Sequence, residues 1–161
     1  MDIFNYALQF EQDGEVFYRE SAEKLTDSSL KKILLFLSKE EQKHFQMIKN
    51  LKDSSLERPK SIFISDVQNV FTQMKSGGVT FSDDKSTVVD ILETGLVAEQ
   101  DSINYYESKK NEIDDEKAKT LLGILRKQED AHYSLLSSIL EYYERPDLWL
   151  ENAEFNHIDD Y

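Results

Sequence analysis

The sequence predicts an all-α protein, a four-helix bundle built from one helical hairpin used twice. Three observations predict it: sparse punctuation, apolar residues at helical spacing, and an internal repeat. Two prolines and five glycines in 161 residues leave room for long helices. No segment shows convincing strand alternation.

The first helix is expected over about residues 3–25, where Phe4, Leu8, Glu11, Glu15, Tyr18, Ala22 and Leu25 recur at helical spacing. "TDSS" at 26–29 breaks that run and offers Asp27 as an N-cap. The second helix, about 28–51, carries Leu34, Leu37, Glu41, His44, Ile48 and Leu51 on one stripe. A connector follows over 52–84, with a short helix expected at 65–75 before "SGG". The third and fourth helices are expected over about 85–112 and 115–144, and a tail over 145–161. A single domain is expected of 161 residues, long enough to bury a substantial core.

The repeat becomes visible at a shift of 88 residues, which carries residue 11 onto 99. "LQFEQDGEVFY" (8–18) then falls on "LVAEQDSINYY" (96–106), and Asp27 falls on Asp115. Leu34 and Leu37 fall on Leu122 and Leu125, and Glu41 and His44 on Glu129 and His132, without a gap. A period this long, present twice, indicates two hairpins rather than a solenoid.

Hairpin geometry brings the polar members of the repeat together. Residues equally distant from a turn lie at equal height, because each residue rises about 1.5 Å. Glu11 and Glu41 are each about fifteen residues from the turn at 26–27, and His44 lies one turn beyond Glu41 on the same face. The repeat gives Glu99, Glu129 and His132 the same relation. If the 52–84 connector runs the length of the bundle, an approximate two-fold axis joins the two clusters in the core.

Without metal, four carboxylates and two imidazoles in a core would repel and take up protons. Two divalent cations balance four carboxylates and leave the imidazoles neutral. Oxygen and imidazole donors suit iron or manganese and, less selectively, zinc. One Glu from each of two helices and one Glu-x-x-His from each of the others is the general pattern of di-iron and di-manganese carboxylate bundles. Glu99 and Glu129 are expected to be bridging carboxylates. Glu154 and His157 repeat the Glu-x-x-His spacing in the tail, but with no repeat partner and no long apolar helix they read as surface or tail packing.

This pattern resembles the ferritin-like superfamily and, within it, the rubrerythrin-like branch. The resemblance covers the chain apart from the connector and the tail. It implies that Glu11, Glu41, His44, Glu99, Glu129 and His132 match di-iron ligands. It also implies that Tyr18 and Tyr106 reach across to hydrogen-bond ligands of the opposite half; simple aromatic core is the competing reading. Glu40 and Gln128 directly precede the ligand glutamates, and related bundles imply contacts from Glu40 to His132 and from Gln128 to His44; a solvated helix edge is the competing reading. Glu15, one turn past Glu11, is a further candidate ligand, but its repeat partner is Ile103 and a helix-edge carboxylate is the reading preferred.

Two departures limit the carry-over. Rubrerythrins usually carry a rubredoxin domain with a four-cysteine iron site, and this sequence contains no cysteine. Reductant is therefore expected from another protein or a small molecule. Rubrerythrins also carry another glutamate three residues after the third-helix ligand, where this chain has Ser102.

The expected activity is reduction of hydrogen peroxide or dioxygen at two iron ions. Iron oxidation for storage or delivery, a dimanganese catalase-like activity and a non-enzymatic metal-binding bundle are the alternatives. A formal charge of -13 argues against nucleic acid and anionic membranes as partners. No basic, apolar leader and no run of about 20 apolar residues is present, and the absence of cysteine fits a reducing compartment, so a cytoplasmic location is expected. The aromatic segments "SIFISDVQNVF" and "LWL" are suited to covering the bundle or to a small isologous contact, so a homodimer is expected rather than a cage.

Overall fold

The computed structural model describes residues 2–51 and 82–147. The expected helix at 65–75, both aromatic segments and the Glu154/His157 pair lie outside the described residues. Four helices form the bundle: α1 (Ile3–Glu23), α2 (Ser28–Asn50), α3 (Lys85–Glu112) and α4 (Glu116–Glu144). No strand occurs among the described residues. None of their helices is long and apolar enough to cross a membrane.

Aspartates start three of the helices. Asp27 accepts from the backbone N–H groups of Ser29 and Leu30, each at 2.9 Å, and Asp115 accepts from Ala118 N–H at 2.9 Å. These are repeat partners doing the same work at the two hairpin turns. Asp84 caps α3 through Thr87 N–H at 3.1 Å. Each such cap satisfies backbone donors that a helix leaves unpaired, and contributes about 1 kcal/mol.

α1 packs against α2 and α3 against α4, as two hairpins. Between hairpins, α1 faces α3 and α2 faces α4. The start of α3 is tied to the first hairpin's turn. Asp83 accepts from Thr26 N–H at 2.8 Å, Thr26 Oγ1–H at 2.7 Å and Asp27 N–H at 2.8 Å. The backbone bond from Thr26, with the others, holds its carboxyl below the ordinary carboxylate range. α3 therefore begins at the same end as the α1–α2 turn, opposite the end of α2 at Asn50, and the two hairpins are related by an approximate two-fold axis.

The apolar core lies in two clusters. One surrounds Tyr18, Leu34, Leu37, Leu92 and Leu136, and the other surrounds Ala7, Ile48, Tyr106, Leu121 and Leu125. Tyr18 and Tyr106 belong to different clusters, and the buried acids and histidines are those of the repeat.

Candidate metal centre

All six residues singled out by the repeat are buried. Glu11, Glu41, Glu99 and Glu129 are 1–4% exposed, His44 is 0% and His132 5%. Each sits on its helix's apolar stripe, so the folding of that stripe carries the polar group inward. His44 Nδ1 lies 3.2 Å from Glu11 Oε2, 3.1 Å from Glu41 Oε2 and 3.1 Å from Glu129 Oε1. His132 Nδ1 lies 3.3 Å from Glu41 Oε1, 3.7 Å from Glu99 Oε1 and 3.3 Å from Glu129 Oε2. The two rings stack with centroids 5.4 Å apart.

These contacts resolve into two four-residue groups. Glu11, Glu41, His44 and Glu129 form one; Glu41, Glu99, Glu129 and His132 form the other. Within each group, one donor atom per residue lies within 4.8 Å of all the others. Glu41 and Glu129 belong to both, with one oxygen directed to each histidine. Glu11 and Glu99 belong to one group each. The geometry differs from one expectation: the pair common to both groups is Glu41 and Glu129, whereas Glu99, like Glu11, belongs to one group only.

Electrostatics shows how unfavourable this cluster is without a cation. Burial, then the Glu129 charge, pushes the carboxyls of Glu11 and Glu99 well above the ordinary range. Burial and Glu129 also push Glu41 up, but hydrogen bonds from His132 and His44 outweigh them and hold it low. Glu129 is held low against burial by the His44 charge and by bonds from both histidines. Burial opposes charge on the imidazoles, yet neighbouring carboxylates raise both, chiefly Glu129 and Glu11 for His44 and Glu99 for His132. In effect, protons stand in for missing positive charge.

Protons do not satisfy the site completely. Beyond the histidine–carboxylate contacts above, neither Glu129 carboxylate oxygen nor His132 Nδ1 has a further hydrogen-bond partner, and all three atoms are buried. Polar atoms so thinly satisfied are costly in a core. Four carboxylates and two inward ring nitrogens, in two groups sharing two carboxylates, fit a pair of divalent cations in charge, donor type and placement.

Contacts crossing between the hairpins support the cluster. Tyr18 on α1 donates to Glu99 on α3, and Tyr106 on α3 donates to Glu11 on α1. Burial, then the partner carboxylate, pushes both phenols well above their ordinary pKa, so they remain donors. The outward nitrogen of His44, Nε2, meets Gln128 Oε1 on α4 and donates to it. That bond leaves Nδ1 facing the cluster.

Two expected contacts are not formed. Glu40 pairs with Lys43 at the solvent edge instead of reaching His132. Glu15 is outside both groups; its Oε1 accepts from Arg19 Nε at 3.0 Å and from Ser38 Oγ at 3.3 Å.

Small residues under the cluster escaped the sequence reading. A Cβ on Gly14 would lie 3.3 Å from Glu41 Cγ, so the glycine lets α1 approach the shared carboxylate. A Cβ on Gly95 would lie 2.9 Å from Leu136 Cδ1 and 3.4 Å from the Tyr18 hydroxyl. The repeat partner of Gly95 is Ala7, fully buried in the cluster that holds Tyr106. Small repeat positions associated with each tyrosine were a signal available in the sequence.

Fold and site together define a ferritin-like four-helix bundle with a buried carboxylate–histidine cluster. The chain belongs to the rubrerythrin family, whose family model, described as Rubrerythrin, matches residues 2–140. Membership implies metal binding. Among solved structures, a hypothetical protein from Pyrococcus furiosus is similar, with a TM-score of 0.67 over 89% of each chain at 20% identity. That similarity is one of fold. Among curated proteins, no match is found.

Proposed function

We propose that this chain is a di-iron redox protein that reduces hydrogen peroxide or dioxygen with electrons from an external donor. The observation that carries the reading is the pair of four-residue groups sharing Glu41 and Glu129. Iron is favoured by the mixed carboxylate and imidazole donors, with manganese and zinc as alternatives. When bound, two ferrous ions supply the two electrons that cleavage of a peroxide O–O bond requires.

The protein's own groups hold and shape the site. Glu41 and Glu129 would serve both ions, while Glu11 and Glu99 would each complete one position. Tyr18, Tyr106 and Gln128 fix the orientation of Glu99, Glu11 and His44. The surrounding core excludes bulk water, which strengthens each of these interactions. No cysteine is present in the 161 residues, so a four-cysteine iron site within them is not the electron source. The proposed assembly is a homodimer without nucleic acid or membrane partners.

Anaerobic stopped-flow mixing of the ferrous-loaded protein with peroxide and with oxygen tests the activity. Oxidation by peroxide at least as fast as by oxygen, with turnover only when reductant is added, supports the reading. Light scattering tests the assembly. A particle of many subunits that loads a mineral would make iron the substrate and would overturn it.

A further inference from the structure

The two faces beside the cluster differ. Between α1 and α2 lies a cavity of about 250 Å³ whose lining includes Glu11, Gln12, Glu15, Arg19, Gln42 and Phe45. Glu11 is itself a candidate ligand, so the cavity reaches the cluster. Gln12, Arg19 and Gln42 at its rim are exposed.

The repeat supplies an internal comparison. Residues 15, 19, 38 and 42 correspond to 103, 107, 126 and 130. On the α3–α4 face, Glu15 is replaced by the buried Ile103. Ser38 is replaced by Arg126, which straps that face through Asp130 at 2.9 Å and Glu107 at 3.5 Å. On the α1–α2 face the short Ser38 crosses only as far as Glu15, whose carboxylate accepts from Ser38 Oγ at 3.3 Å and from Arg19 Nε at 3.0 Å beside the opening.

We propose that divalent cations reach the buried cluster through the α1–α2 opening, with Glu15 as the first carboxylate to take them. The inference rests on the metal-binding reading above. Glu15 lies one turn from Glu11 on the same side of α1, so a cation passes from one carboxylate to the next. The amide oxygens of Gln12 and Gln42 replace part of its hydration shell on the way. Arg19 competes for Glu15 and must release it. Glu15 is therefore a positioning residue on the entry path and not a ligand of the final site.

The test is the rate of cobalt(II) uptake by the full chain stripped of metal, followed by visible absorption in an anaerobic stopped-flow instrument. Gln42→Trp fills the opening from an exposed position, and melting of the metal-free variant confirms that it folds. Uptake should slow several-fold in Gln42→Trp and in Glu15→Gln, with the final cobalt content unchanged. Arg19→Gln should accelerate it. Arg126→Ala, on the opposite face, should leave it at the wild-type rate. Wild-type uptake by Gln42→Trp and Glu15→Gln, or a rate that responds only to Arg126→Ala, overturns the entry route while leaving the metal site intact. Failure of the unsubstituted chain to take up cobalt at all overturns the metal-binding reading, and the route with it.

Discussion

Tyr18 of α1 donates its hydroxyl proton to the carboxylate of Glu99 on α3, and the bond has a mirror image in Tyr106 and Glu11. Both phenols are buried, both acceptors belong to the cluster, and both bonds join the two hairpins. Tyr18→Phe and Tyr106→Phe should each destabilise the fold by about 1–3 kcal/mol, because each leaves a buried carboxylate short of a donor. Metal affinity should fall by roughly tenfold or more. The two variants should behave alike. Denaturant melts and metal titrations that leave either one at the wild-type values would show that the pair is only aromatic core.

Gly14→Ala separates folding from metal binding. A helix-interior glycine costs about 1 kcal/mol relative to alanine, so the substitution favours α1. The added Cβ meets Glu41 Cγ at 3.3 Å, so the shared carboxylate must shift by a few tenths of an ångström. The metal-free variant should melt no lower than wild type, while its metal affinity falls. Calorimetric titration beside thermal melts checks both halves. An unchanged affinity would mean that Glu41 does not need its present position.

The pH dependence of the metal-free chain has a determined sign. Glu11, Glu99, His44 and His132 have raised values in the folded state. The stability they contribute is fully present below their unfolded values, about 4.3 for Glu and 6.5 for His, and is lost as pH rises through the folded ones. Glu41 and Glu129 are depressed and act oppositely, losing stability only as pH falls below the ordinary carboxylate range. The metal-free melting temperature should therefore be highest in mild acid and should decline through neutrality. Metal must displace the protons, so its stabilisation grows over the same interval. Melting curves at several pH values, with metal and with chelator, check this. A metal-free melting temperature that rises from pH 5 to pH 8 would contradict it.

Shared and terminal carboxylates should give different stoichiometries. Glu41→Ala or Glu129→Ala removes a donor from both groups, whereas Glu11→Ala or Glu99→Ala removes one from a single group. The first pair should lose the coupled site, and the second pair should retain one tightly held ion. Elemental analysis after anaerobic loading distinguishes these outcomes. Equal losses in all four variants would contradict the division.

Much of this site was legible because the chain repeats itself. Matching positions 88 residues apart selected Glu11, Glu41, His44, Glu99, Glu129 and His132 from a sequence rich in acids, and the hairpin turns set their heights. Seven residues along a helix return to within about 20° of the starting direction, which is why Tyr18 follows Glu11 inward. Four residues overshoot by about 40°, and Glu15 turns to Arg19 and Ser38. Spacing along one helix does not give that helix's rotation against its neighbours. For that reason the shared role of Glu41, and the turn of Glu40 toward Lys43, became visible only in the fold. The tie from Asp83 to Thr26 was equally hidden, since it joins residues 57 apart through a turn with no periodic signal.

The central claim is that the cluster holds two metal ions per chain through shared carboxylates. Anaerobic titration of the metal-free protein with ferrous iron, with bound metal counted by elemental analysis after desalting, tests it most directly. The two groups sharing Glu41 and Glu129 predict an end point of two ions per chain. An end point of one ion, or none, would contradict it.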